Sequence, residues 1–340
     1  MKLRLPTLAL LLLAVISSQS AQAAFCALRD PVVTIQKLFP DSTSHRSVIK
    51  VVGEDQRRAV SALMPPNTLH FSELGQHTLY ITFKGQTPLG YLHVRSEESE
   101  WGLVEVAWAL TPDLKVIDFH LQRCRSRAKR EITAPAFRNQ LKGLSYLEMK
   151  QLLAADGSSL KPGALKVSAT ATPLAEVIVK CGLKTIVVTE LAWADEVELY
   201  AGLARAQHSF TSATELKQIE DTVLSQKFDS VANHFPGQVT AMNLEGSELY
   251  AITSSSGNTV GAVFRHPLTE TNPGKPVEWH IDPEGKVIAI HNPQGWPDNA
   301  TANALKSHVN QSFDGQTSCA DRPQLLTKQA ALMARLAFPE

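Results

Sequence analysis

Short runs of alternating apolar and polar residues dominate this chain and predict strands joined by tight turns. In the first half, Thr78–Phe83 alternates, the Lys84–Pro88 turn follows, and Leu89–Val94 alternates again. Leu103–Ala109, a Thr-Pro-Asp turn and Leu114–His120 continue the meander. The second half repeats the plan with Glu248–Thr253, Val260–Phe264, Val277–Ile281 and Lys286–Ile290. The two series superimpose at an offset of about 170 positions, with Tyr80 over Tyr250, Gly90 over Gly261, and Lys115–Ile117 over Lys286–Ile288. A Phe/Gly segment follows in each half, Phe137–Gly143 and Ser312–Gly315, and each closes with a helix, Leu174–Leu183 and Gln329–Leu336.

Helical spacing predicts the rest. Glu54–Leu63 reads as a short helix after the apolar stretch Val48–Val52. Leu191–Gln207 and Ala213–Gln226 read as helices between the halves, with Leu216, Ile219 and Val223 on one face and Thr211 or Ser212 as N-cap. The expected architecture is α+β, with two tandem domains that each pack a small antiparallel sheet with helices. Their expected bounds are 24–190 and 228–340, joined by a helical linker over 191–227. At 340 residues the chain is long for a single core, which agrees with two domains.

The first 23 residues read as a signal peptide. Lys2 and Arg4 precede a short apolar run, and Ala21-Gln-Ala23 supplies the small residues a signal peptidase needs. Phe25 ahead of Cys26 argues against lipid anchoring, so the mature chain is expected to be exported and periplasmic or otherwise extracytoplasmic. No later run is apolar for long enough to span a bilayer. Lys+Arg and Asp+Glu number 33 each, which gives no global charge for a nucleic-acid partner.

Export permits oxidation of Cys26, Cys124, Cys181 and Cys319, and one or two structural disulfides are expected, with three pairings open. None of the four lies in a redox or haem-attachment motif. The scattered histidines suggest no metal site, and neither a Gly-x-Ser-x-Gly elbow nor a phosphate-binding glycine loop occurs. An electron carrier or binding protein fits this inventory better than a stand-alone enzyme.

Two stretches carry candidate chemistry. Lys166–Pro173 sets Ser168, Ala169, Thr170 and Thr172 at a helix start, where unpaired N–H groups, the helix dipole and hydroxyls suit a phosphate. Ordinary capping is the alternative reading. Arg123, Arg125 and Arg127 belong to a basic run, either a solvated loop or a counter-charge for an anion.

Taken together, the first-half strand pair with its Leu-Gly-Tyr exit, the Val-Glu-Val strand, Phe-x-x-Gln-x-x-Gly and Ser-Ala-Thr-x-Thr resemble a known family. It is the extracytoplasmic FMN-binding domain of flavin subunits in bacterial ion-pumping quinone and ferredoxin oxidoreductases. The resemblance covers roughly Val48 to Val188, and more weakly the second half. It implies FMN bound through a phosphoester at Thr170, made by a separate flavin transferase, with Ala169 as the matching alanine and Thr172 as the hydroxyl that follows. Ser168 and first-turn N–H groups would complete the phosphate cradle, Arg123, Arg125 or Arg127 would offset its charge, and Trp101 or Trp108 would stack on the ring. Val167-Ser168 stands where the family has Ser/Thr-Gly, the upstream acid is absent, and Gln122–Arg127 replaces a glycine-rich loop. The second half lacks an Ala-Thr pair, so only the first domain is expected to hold cofactor. Two functions follow: a periplasmic FMN protein passing electrons to an envelope redox partner, or a cofactor-free periplasmic binding or interaction protein that retains the fold.

Overall fold

The computed structural model describes residues 30–219, 247–267, 276–293, 299–311 and 322–334. The expected signal peptide lies outside them, as do Cys26, Cys319 and the Ser312–Gly315 segment. Among the described residues no helix is long and apolar enough to cross a membrane. The chain is α+β and divides into two compact units, Met1–Phe83 with Leu89–Ala194, and Lys84–Pro88 with Asp195–Glu340.

In unit 1, helix α1 (Pro31–Leu38) starts where the Asp30 carboxylate accepts the Val33 N–H at 3.1 Å and Pro31 presets the first turn. Strand β1 (Ser44–Val52) leads to α2 (Glu54–Leu63), whose first turn carries Glu54 and Asp55 at the positive end of the helix dipole. A single 3₁₀ turn, Phe71–Glu73, precedes β2 (Gly75–Lys84), β3 (Thr87–Glu97), β4 (Val104–Leu110) and β5 (Val116–Arg123). The five strands form an antiparallel sheet in chain order. Short helices α3 (Lys129–Ile132), α4 (Pro135–Arg138) and α5 (Tyr146–Gln151) then lead to α6 (Thr172–Ala192). The expected helix over Leu174–Leu183 is extended to 21 residues, and every residue from Cys181 to Thr189 is buried, so that stretch is enclosed on all sides.

Alternation assigns the two faces of the first sheet. Tyr80, Leu92, Val94, Ala107 and Ala109 pack with Ile35 and Leu38 of α1. The residues between them face α6: a Cβ added at Gly182 would lie 2.8 Å from the Trp108 ring, and His93 Nδ1 is 2.8 Å from Thr189 Oγ1. This second face also holds charge. Arg95 donates to Glu73 at 2.8 Å and Lys184 to Glu97 at 2.8 Å, and all four residues are buried.

Unit 2 begins with α7 (Ala194–Ser209) and β6 (Ala213–Gln218). Strands β7 (Glu248–Ser254), β8 (Thr259–His266), β9 (Val277–Ile281) and β10 (Val287–His291) complete a second five-stranded antiparallel meander, again in chain order. Helices α8 (Asn299–Lys306) and α9 (Arg322–Ala334) follow. Leu203 and Ala206 of α7 pack with Ile252 and Val263 on one face, while Ala330 and Met333 of α9 pack with Phe264 and Trp279 on the other.

Of the two helices expected across 191–227, Leu191–Gln207 is met by the end of α6 and by α7, whereas the second is not a helix where it is described. Ala213–Gln218, expected as helix, pairs antiparallel with β7, and its register shifts between Ala213 and Glu215. That bulge adds one residue, so Ala213 and Leu216, three apart, are both buried, and pairing with β7 overrides the helical spacing of Leu216, Ile219 and Val223. Residues 220–226 of the same expectation lie outside the described residues.

The two units repeat one plan in detail. An added Cβ at Gly90 would stand 2.0 Å from the Leu110 carbonyl oxygen and 3.2 Å from Phe39. The same methyl at Gly261 would meet Phe210 at 2.6 Å. Each glycine thus admits the aromatic residue that follows the first helix of its unit. The Thr111–Lys115 turn places Leu114 at φ 60°, and the Asp282–Lys286 turn places Gly285 at φ 82°. Val116 exchanges backbone bonds with Leu144 and Gly143 as Val287 does with Gln311 and Asn310. The counterpart of Gly143 is thus Asn310 rather than Gly315.

Expected disulfides are not found among the described cysteines: Cys124 and Cys181 are both free thiols. Cys181 sits inside α6 in the core, where burial pushes its thiol up and out of the reactive range. A thiol reagent is expected to leave Cys181 unmodified in the native protein and to modify it after unfolding, read by peptide mass. Native labelling of Cys181 would contradict its place in the core.

Candidate functional site

The segment before α6 closes on itself. The Ser168 carbonyl accepts the N–H groups of Ala171 at 2.9 Å and Thr172 at 3.1 Å, and the Thr172 hydroxyl at 3.1 Å. Pro173, in the first turn, has no N–H to offer. The Lys166 N–H donates to Gln140 Oε1 at 2.7 Å, which ties the segment to the end of α4. Thr170 stays outside the helix, exposed, with its Oγ1 3.0 Å from Ser168 Oγ.

The second wall comes from the chain after β5. Buried Ser126 accepts the Ala128 N–H on its hydroxyl at 3.2 Å and the Lys129 N–H on its carbonyl at 3.3 Å. This turn starts α3 and faces Arg125, Arg127, Arg130 and Glu131 toward Thr170. Together with Trp101 they line a cavity of about 790 Å³. Ala169, Thr172 and Pro173 line a separate hollow of about 430 Å³ that also uses Trp101.

Thr170, Arg125 and Arg127, three of the residues nominated from sequence, thus meet at one cavity. Arg123 does not. Its guanidinium turns back along the sheet to Glu105 at 3.4 Å, because the last residue of β5 lies across from a buried carboxylate on β4. Ala169 and Thr172 belong to the neighbouring hollow, and the Thr172 hydroxyl is already spent on the Ser168 carbonyl. Trp108 is fully buried against Phe119, ring centres 5.1 Å apart, so Trp101 is the indole that reaches the cavity.

The expected cradle of Ser168 and first-turn N–H groups is not open. The Glu131 carboxylate accepts the Ser168 N–H on one oxygen and the Ser168 hydroxyl on the other, both at 2.6 Å. Those two bonds, the hydroxyl's first, hold the Glu131 carboxyl below its ordinary range. An acid from α3 thus occupies the position an anion would take. Spacing in the sequence did not nominate Glu131; its one local mark is being the acid that ends a basic run.

Three guanidinium groups against one carboxylate leave the cavity wall positive, which suits an anionic ligand with a flat or polarisable part beside Trp101. Arg125, Arg127 and Arg130 have no ion-pair partner among the described residues. No group of three or more His, Cys, Asp or Glu side chains among those residues is placed to hold a metal. Neither a family model nor a curated protein matches this chain.

Proposed function

We propose that this chain is an extracytoplasmic flavoprotein that holds FMN in the Thr170 cavity and passes electrons between envelope partners. The observation that carries the reading is convergence. Trp101, Arg125, Arg127 and Thr170 come from three separate stretches of chain, and all line one cavity of about 790 Å³. That size lies within the range of roughly 300–1,000 Å³ usual for small-molecule sites. Arg125, Arg127 and Arg130 would hold the phosphate, the Thr170 hydroxyl would accept its ester, and Trp101 would offer a face to the ring. Bound FMN supplies one- and two-electron transfer, so no nucleophile or general base of the protein is needed for electron passage. The charge for the phosphate comes from arginines, since the Ser168 N–H and hydroxyl are committed to Glu131.

The test is intact mass after co-production with a flavin transferase in an exporting host. The protein is expected to be yellow and to exceed the mature chain by one FMN less water, with colour retained through acid precipitation. Thr170→Ala is expected to abolish the gain. A colourless protein that also fails to take up added FMN overturns the reading. The second reading, a cofactor-free interaction protein with the same fold, draws on the capture of Ser168 by Glu131 and would then stand.

A further inference from the structure

The geometry points to Glu131 as a positioning residue for Thr170, acting through Ser168 to aim the threonine oxygen into the cavity and to receive its proton when that oxygen is esterified. This rests on the flavin reading above and adds a residue that neither the motif nor the spacing nominates. The argument is one of hydrogen-bond direction. An ionised carboxylate only accepts, so the 2.6 Å contact between Glu131 Oε2 and Ser168 Oγ consumes the single proton of the serine hydroxyl. Ser168 Oγ is then left as an acceptor toward Thr170 Oγ1 at 3.0 Å, and the threonine must be the donor of that bond. The Thr170 proton therefore points back at Ser168, which leaves the oxygen's lone pairs for the cavity lined by Arg125, Arg127 and Arg130.

The second Glu131 oxygen, on the Ser168 N–H at 2.6 Å, fixes the carboxylate plane and with it the polarity of the whole chain. Charge-assisted bonds of this length are the strong ones, and each polarises the next.

Esterification by an activated donor balances along this chain. Thr170 Oγ1 forms a bond to the phosphorus of the FMN half of a flavin dinucleotide, and the pyrophosphate P–O bond breaks. The adenosine monophosphate half leaves with the electron pair. The Thr170 proton passes to Ser168 Oγ as the serine proton passes to Glu131 Oε2. A dinucleotide is required because a free phosphate monoester has no comparable leaving group.

The experiment follows initial rates of FMN transfer to the full mature chain, with purified flavin transferase and flavin dinucleotide, by intact mass. In Glu131→Gln the amide N–H₂ can donate to Ser168, which reverses the chain and turns the Thr170 proton toward the cavity. The maximal rate is expected to fall about a hundredfold, the lower end for positioned proton transfer, with the half-saturating carrier concentration unchanged. Ser168→Ala breaks the chain without touching Glu131 and is expected to lose a similar factor. Glu131→Asp should recover part of the rate.

Wild-type rates in both Glu131→Gln and Ser168→Ala would overturn the role of Glu131 and leave the flavin reading intact. A raised half-saturating concentration at unchanged maximal rate would also overturn it, since Glu131 would then serve docking. Should Glu131→Gln not fold, Ser168→Ala decides alone. A wild-type chain that accepts no FMN removes the flavin reading and this inference with it.

Discussion

Replacing Glu73 by alanine is expected to destabilise unit 1 by about 3–5 kcal/mol, the range for a buried ion pair stripped of one partner. Glu73 is 1% exposed and lies under the sheet face that packs on α6. One carboxylate oxygen takes Arg95 at 2.8 Å, and the other accepts the His70 N–H at 2.8 Å and stands 3.6 Å from Lys184. Glu97 supplies the second negative charge through Lys184. With two buried cations and two buried anions, the group is neutral as a whole, and removing one carboxylate leaves a net positive charge surrounded by apolar side chains. Urea unfolding measures the change through the shift in midpoint at constant slope. Glu73→Gln keeps the shape and the His70 acceptor, and is expected to lose less. A loss under about 1 kcal/mol in Glu73→Ala, the range of exposed pairs, would mean that the network is open to water.

Acid is expected to weaken both units well before the carboxylates titrate. Burial first, and then the Arg95 charge, lowers His77 to about 3. Its Nε2 sits 2.8 Å from the Glu73 carbonyl, so Nε2 carries the proton, and a second proton on Nδ1 would face Arg95 Nη1 at 3.4 Å. Burial also holds His93 well below the usual imidazole range, and in unit 2 it lowers His280 and takes His291 to about 4.

These groups stay neutral when folded, while the unfolded chain protonates near pH 6.5. Their contribution to stability is whole above that pH and is lost as pH falls toward the folded values. The slope approaches about 1.4 kcal/mol per pH unit for each histidine. With His77 and His93 together, unit 1 should lose about 2.4 kcal/mol between pH 6 and pH 5, just short of that limiting slope. His70 works in the opposite sense: the Glu97 carboxylate 3.8 Å away raises it, so its contribution is whole below the unfolded value and is lost as pH rises through the raised one. Thermal unfolding from pH 7.5 to 5 should show a falling midpoint, and His77→Asn should flatten the slope. A midpoint constant over that span would contradict neutral burial of these rings.

The second unit spends its polar residues differently. Val94, Ala107 and Ala109 form apolar core under α1, yet the matching positions of β8 and β9 carry Arg265, Glu278 and His280 under α7. Arg265 pairs with Glu278 at 2.8 Å, Arg205 of α7 reaches the same carboxylate at 2.7 Å, and Ser209 reaches His280 at 2.7 Å. The shared plan of sheet and helices therefore tolerates either kind of interface, provided every buried charge is matched.

Local periodicity determined most of the secondary structure. Eight strands and α2 were legible because alternation with period two, and the 3.6 spacing of α2, are written in neighbouring residues. The duplicated order and the hydroxyl-rich stretch around Thr170 were legible for the same reason, as was the basic run containing Arg125 and Arg127. Tertiary structure alone decided what depends on partners far away in the chain. It turned Ala213–Gln218 into a strand, because pairing with β7 outweighed the helical spacing of Leu216, Ile219 and Val223. It sent Arg123 to Glu105, buried Trp108, and brought Glu131 from α3 onto Ser168. Charge pairing and hydrogen-bond direction are settled by which groups meet in space, and no spacing along the chain records that.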